Sequence, residues 1–179
     1  MAQHPGYWGK LLRANLSTGE INEEDLSKEF LKKYLGGTGF TTKVLYDEVD
    51  EDTDPLGPEN VLIIAPGLLV GPKIPTASKT TIGFKSPVTG GYGKSLVGAK
   101  LGDQLKRAGY DMLVVEGEAD SPVMLAIEDG EVTVEDATDL WGLDTRETDE
   151  KIKEKYEGYS TAVIGPAGEN LSKLAMIEC

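Results

Sequence analysis

The sequence predicts an α+β domain made mostly of antiparallel sheet. Three observations carry that expectation. Strand-like segments outnumber helical ones, and Asp129-Gly130 sits between two alternating apolar runs, as a tight hairpin requires. The helical stretches are short and stopped by glycine, so they decorate sheets and do not form a bundle.

Tyr7 to Asn15 reads as a strand, Ser17-Thr18-Gly19 as a turn and Glu20 to Glu24 as the returning strand. Ser27 can cap a helix whose apolar residues Phe30, Leu31, Tyr34 and Leu35 share one face. Gly36-Gly37 stops it, and a second helix runs from Thr38 to about Glu48 with Phe40, Val44 and Leu45 inward. Asp50 to Glu59 is a polar loop. Val61 to Ala65 is a buried strand, and Pro66 to Ser78 is too rich in Gly and Pro for a regular helix.

Lys79 to Lys85 is a strand, Ser86 to Gly90 a turn, and an extended piece follows Gly90-Gly91-Tyr92-Gly93 to Gly98. The spacing of Leu101, Leu105 and Ala108 predicts a helix over Ala99–Ala108, stopped by Gly109. Met112 to Glu116, Val123 to Glu128 and Val132 to Val134 are strands. Asp144 and Glu147 form a capping box for a helix bearing Ile152 and Tyr156. Thr161 to Ile164 and Leu174 to Cys179 read as strands around a Gly165–Asn170 loop. Cys179 falls within a strand, so the expectation is the front part of a longer protein. A self-contained domain whose last strand pairs at its end is the alternative.

With 179 residues the chain suits one domain or two small ones with a real core. Its longest apolar run, Val61 to Ala65, is far short of a membrane span. No basic-then-apolar secretory start is visible, and the default expectation is a cytoplasmic protein. Cys179 is the one cysteine, which excludes an internal disulfide and a protein-only zinc or iron–sulfur site. A net charge of −13 argues against general nucleic-acid binding.

The acids are unevenly placed. Asn60 to Gly102 runs 43 residues without one, where about seven would be expected at the average density. The stretch carries Lys73, Lys79, Lys85, Lys94 and Lys100 among many glycines. A positive, glycine-rich island in an acidic chain suits a phosphorylated anion. Within it, Gly90 to Gly98 leads toward a helix start, where free N–H groups attract anions and glycine permits close approach, with Lys94 or Lys79 supplying charge. A tight turn with exposed lysines explains the same residues. The segment is neither a P-loop nor a G-x-G-x-x-G fingerprint, because Leu96 stands at the third glycine position. His4 alone supports no catalytic triad, and the acid clusters Glu23-Glu24-Asp25 and Asp47 to Asp54 read as exposed loops.

Several short motifs, in order, carry a family resemblance. They are Tyr7-Trp8-Gly9-Lys10, Asn15-Leu16-Ser17-Thr18-Gly19, Leu35-Gly36-Gly37-Thr38-Gly39 and Pro58-Glu59-Asn60. Lys85-Ser86-Pro87-Val88-Thr89-Gly90, Ala108-Gly109-Tyr110-Asp111, Val115-Glu116-Gly117 and Ile164-Gly165-Pro166-Ala167-Gly168-Glu169-Asn170 continue the series. Together they resemble the N-terminal domain of the tungsten-containing aldehyde ferredoxin oxidoreductase family over nearly the whole chain, residues 1–179.

The resemblance implies a base of two mainly antiparallel β-sheets with a few short helices. On that base rests a tungstopterin, a bis-pyranopterin cofactor with tungsten or molybdenum, whose phosphates are bridged by magnesium. By position Lys79 matches a cofactor-contacting arginine, Leu96 an asparagine lending a main-chain carbonyl to magnesium, and Gly98 a glycine against the pterin. Lysine keeps the charge of arginine but not its planar fork, so phosphate contact is less directional. The candidate cofactor-binding set is Lys79, Lys94, Ser95, Leu96, Val97 and Gly98, with Leu96 as the metal contact and no catalytic residue.

In the family the 4Fe-4S cluster and the substrate pocket belong to later domains, so this chain alone is expected to carry none of these groups. The implied activity of the complete protein is oxidation of aldehydes to carboxylic acids with ferredoxin as electron acceptor. Its implied partners are the remaining domains or a separate subunit, ferredoxin, and a second copy in a homodimer. The competing reading, from a different class, is a non-catalytic module that binds a phosphorylated ligand or a partner protein.

Overall fold

A computed structural model describes residues 5–71, 74–98, 100–128 and 130–179. Its strands are β1 (Lys10–Asn15), β2 (Glu20–Asp25), β3 (Val61–Pro66), β4 (Thr80–Lys85) and β5 (Tyr92–Val97), then β6 (Met112–Glu116), β7 (Val123–Glu128) and β8 (Glu131–Asp136). Helices α1 (Lys28–Tyr34), α2 (Thr38–Glu48), α3 (Leu101–Arg107), α4 (Thr145–Lys155) and α5 (Pro166–Glu169) lie between and after them. A six-stranded sheet has the order β2-β1-β6-β3-β4-β5, and β7-β8 forms a second, two-stranded sheet. Among these pairs only β1–β6 is parallel. The α+β expectation with two mainly antiparallel sheets therefore holds.

Local chemistry explains most element ends. Asn15 Oδ1 accepts the N–H groups of Ser17 and Thr18 at 3.0 and 3.1 Å, closing the β1–β2 turn. Ser27 Oγ accepts the Phe30 N–H at 3.1 Å as the α1 cap, and Asp144 and Glu147 form the reciprocal capping box of α4. Gly39 must be glycine, since a Cβ there would stand 2.0 Å from the Tyr34 carbonyl oxygen, and this lets α1 and α2 follow one another closely.

Strand alternation divides the core between the two faces of the large sheet. Leu11, Ile63, Ala65, Met112 and Val114 pack on Leu31, Phe40, Val44 and Leu45 of α1 and α2. Leu12, Ile64, Ile82 and Leu113 pack with Leu105 of α3 and Tyr110 on the opposite face. The fully buried Tyr110 donates its hydroxyl to Glu23 at 2.6 Å and to the Gly130 carbonyl at 3.1 Å.

Burial, reinforced by the Glu23 carboxylate, pushes the Tyr110 phenol up from 10.0 to about 12. Because the folded value is raised, its contribution to stability is complete below pH 10 and is lost as pH climbs to about 12. Urea titrations should therefore show the stability gap between the unaltered chain and Tyr110→Phe shrinking across that window. A gap independent of pH would refute this environment.

Some boundaries differ from expectation. β1 starts at Lys10, not Tyr7, because Gly9 turns left-handed (φ 78°) and gives its N–H to Asp111. Helix α3 is shorter than Ala99–Ala108: Lys100 and Ala108 are its caps, and Ala99 lies outside the described residues. The two strands expected after Ser160 reduce to one bridge, Val163 with Glu178, and the Gly165–Asn170 loop contains α5, begun by Pro166. Among the described residues no helix is long and apolar enough to cross a membrane.

Candidate functional site

The register of the large sheet gathers three strand ends. Pro66 closes β3 opposite Thr80, which opens β4, and Thr80 stands opposite Val97, which closes β5. The connections leaving these ends therefore begin side by side, at Gly67 and at Gly98. Both belong to the acid-free stretch. Lys79 immediately precedes Thr80 and Gly98 immediately follows Val97, so two residues 19 positions apart become neighbours.

Their contact is close. A Cβ on Gly98 would sit 3.2 Å from Lys79 Nζ and 3.8 Å from Ser78 Oγ. The bare Cα of Gly98 thus leaves space beside an exposed ammonium group. Next to it lies a hollow of about 300 Å³ lined by Ile74, Thr76, Ser78, Gly98, Lys100 and Asp103, among others. Thr76 holds a left-handed backbone (φ 66°), an uncommon conformation for a β-branched residue. Such strain tends to concentrate at ligand-binding loops.

Free positive charge is present there as well. Lys10, Lys43, Lys106, Lys153 and Lys155 each pair with a carboxylate. Among the described residues Lys79, Lys94 and Lys100 are exposed and belong to no ion pair. The hollow's one carboxylate, Asp103, is engaged by Arg107 at 2.8 Å. The absence of acids along the chain thus becomes an absence of competing carboxylate partners in space.

The other predicted positions diverge. Lys94 lies opposite Gly83, and Leu96 lies opposite Thr81. A Cβ on Gly83 would strike the Thr41 side chain, and Thr81 Oγ1 lies 3.3 Å from Thr38 Oγ1, so this face of β5 is the α2 face. Ser95 and Val97 point to the α3 face, where Val97 packs against the core. The candidate set therefore does not form one cluster: Lys79 and Gly98 meet, while Lys94 and Leu96 lie along the edge strand. Leu96 has a half-exposed side chain.

Lys85 leaves the island altogether. It is buried, and its ammonium donates to the carbonyls of Asp50 and Glu51 at 2.9 and 2.6 Å, clamping the acidic loop at the far end of β4. Lys73 and His4 lie outside the described residues. Reading the chain alone missed Ser78 and Thr76. Ser78 adjoins Lys79 and was accessible as a hydroxyl beside a lysine, whereas nothing local marks Thr76.

Elsewhere, the Gly165–Asn170 segment is tied down by Glu169, whose carboxylate accepts the Gly142 N–H at 2.9 Å. A larger groove of about 440 Å³ lies between the six-stranded sheet and the β7–β8 and α4 region. It is lined mostly by apolar residues such as Leu62, Leu113, Met124 and Ile152, and also by Glu169. No group of three or more potential metal-ligating side chains occurs among the described residues.

The residues at the Lys79 end suit an anionic group. They provide unpaired ammonium groups, a hydroxyl and a glycine whose missing side chain leaves room. They do not suit a metal held by protein side chains alone, so any cation there would rely on main-chain carbonyls and on the anion itself.

Comparison with known proteins adds an independent line. Residues 11–179 match the family model described as aldehyde ferredoxin oxidoreductase, N-terminal domain. The chain is 45% identical to the tungsten-containing aldehyde ferredoxin oxidoreductase of Thermococcus kodakarensis, across 96% of this chain and 29% of that protein. It is 39% identical to the aliphatic sulfonate oxidoreductase, WOR-like subunit, of Pyrococcus furiosus, across 96% of this chain and 30% of that one. Among solved structures it resembles the active site complex BamBC of benzoyl coenzyme A reductase with a TM-score of 0.92 and 35% identity. That match covers 97% of this chain and 27% of the other. The chain thus spans under a third of the length of these relatives.

Proposed function

Because the chain belongs to the aldehyde ferredoxin oxidoreductase family, as its N-terminal domain, we propose that residues 1–179 form a cofactor-supporting base within a longer oxidoreductase. The observation that carries this reading is the juxtaposition of Lys79 Nζ with the bare Cα of Gly98, at an end of the sheet where the lining carboxylate, Asp103, is engaged by Arg107. The ligand assigned to it is a phosphate of a bis-pyranopterin tungsten or molybdenum cofactor.

Lys79 would neutralise that phosphate, Ser78 would donate a hydrogen bond and Gly98 would admit the cofactor close to the main chain. Lys94, Ser95 and Val97 belong to the edge strand that borders the cofactor. Leu96 would offer its main-chain carbonyl to a magnesium ion accompanying the cofactor, a role for which its side chain is irrelevant. When bound, the cofactor supplies the two-electron redox chemistry, and the protein orients and tunes it.

In the complete protein the reaction is oxidation of an aldehyde. Water supplies the added oxygen, and a carboxylic acid, two protons and two electrons result, with the electrons passing through an iron–sulfur cluster in the later domains to ferredoxin. Metal analysis tests the assignment. The complete protein, expressed with tungstate or molybdate, should purify with the metal and with pterin. A folded complete protein containing neither would overturn the cofactor role and favour a module that binds some other phosphorylated ligand.

A further inference from the structure

The hollow beside Lys79 is shaped by a segment that precedes β1. Lys106, on the last turn of α3, is buried and donates to Asp111 Oδ1 at 2.5 Å and to the Gly6 carbonyl at 2.7 Å. Asp111 Oδ2 accepts the Gly9 N–H at 2.6 Å. Between these anchors the Tyr7 ring lies 5.5 Å from Lys106 Nζ, and its hydroxyl donates to the Leu35 carbonyl at 2.9 Å. Residues 6–9 are therefore held as a strap by one buried ion pair.

The strap closes over the turn that opens the 67–79 connection. A Cβ on Gly6 would lie 2.9 Å from Leu68 Cδ1, and one on Gly71 would lie 3.4 Å from Lys106 Cβ. On another side, a Cβ on Gly36 would lie 3.2 Å from the Pro66 carbonyl oxygen and 3.3 Å from Leu68 N. The turn is thus enclosed by the strap, by α3 and by the α1–α2 joint. Its own bonds carry that position forward: Gly67 N–H donates to the Lys79 carbonyl and Val70 N–H to the Gly67 carbonyl, both at 3.0 Å. Val70 then lines the hollow together with Gly98.

Stability alone does not account for such a pair. Replacing a buried ion pair by apolar residues of similar volume is often neutral or stabilising, and the best-attested use of one is to select a single arrangement. Resting on the anion-site reading above, we infer that Lys106 is the positioning residue of that site. By gripping Gly6 and Asp111 together it locks the strap over residues 67–71, and so sets Lys79 and Ser78 at their distance from Gly98.

The test uses inorganic pyrophosphate as the probe, with calorimetric affinity and amide hydrogen exchange as readouts. The double variant Lys106→Met/Asp111→Asn removes both charges at once and leaves an acceptor for Gly9. Deleting residues 1–6 removes the Gly6 carbonyl while keeping the ion pair, and serves if the double variant does not fold. In either variant, exchange at Gly67, Val70 and Ala77 should quicken by about tenfold or more, with β3 and β6 still protected. Pyrophosphate affinity should fall by roughly tenfold, as expected when a site must be ordered on binding.

Unchanged loop exchange and affinity in a folded variant overturn the inference. So does uniform acceleration across the whole sheet, which marks a purely structural pair. If the unaltered chain itself fails to bind pyrophosphate, the anion site is lost and this inference with it. Equal affinity for pyrophosphate in the unaltered chain and the variants refutes the inference alone.

Discussion

Asp111→Ala should destabilise the chain by about 3–5 kcal/mol in urea or guanidinium unfolding, the typical result when one member of a buried ion pair is removed. Asp111 is essentially inaccessible and its partner Lys106 nearly so. The truncation leaves the Lys106 ammonium in a desolvated site with the Gly6 carbonyl and the Tyr7 ring but no counter-charge, and strips the Gly9 N–H of its acceptor. Both penalties act in the same direction. The contrast with Lys106→Met/Asp111→Asn is informative, because deleting both charges avoids the stranded ammonium and should cost clearly less. A loss below about 1 kcal/mol for Asp111→Ala would place this pair in the weak, solvent-screened class and contradict its burial.

Lys79→Glu should weaken anion binding by roughly 30-fold. A unit charge about 4 Å from a phosphate is worth about 1 kcal/mol even at the dielectric constant of water, and reversal doubles that to about 2 kcal/mol. Pyrophosphate titration of this chain reads the effect directly. In the complete protein, the corresponding measurement is the fraction of molecules retaining tungsten or molybdenum after gel filtration. Lys85→Glu is not a valid control, since Lys85 clamps the Asp50–Glu51 carbonyls and its loss would disturb the fold. Lys28→Glu, on the outer surface of α1, changes net charge by the same amount and should leave affinity nearly unaltered. Equal affinities for Lys79→Glu and the unaltered chain would remove Lys79 from the site.

Features governed by neighbours in the chain were legible without coordinates. Ser27 and Asp144 act as caps because a side-chain oxygen three residues before a free N–H can reach it in any context. The unbroken apolar run Val61 to Ala65 announced a buried strand, and Phe40, Val44 and Leu45 were identifiable as the inward side of α2. The weakest expectations lay after Ser160. Apolar composition there suggested full strands, yet a strand needs a partner along its length, and only Val163 and Glu178 find one among the described residues.

For the site, the run of residues from Asn60 to Gly102 without acids was visible in the bare string of letters, together with the glycine that leaves room beside a lysine. Its spatial meaning was not. Strand register alone brings Lys79 against Gly98, turns Lys94 and Ser95 to opposite faces and carries Lys85 to the other end of β4. Likewise, nothing near Lys106 in the chain foretells that it will hold the Gly6 carbonyl 100 residues away. Caps, turns and alternation are encoded within a few residues, because the groups involved are covalently close. Which charges meet depends on pairing between distant strands, and only the packed sheet decides that.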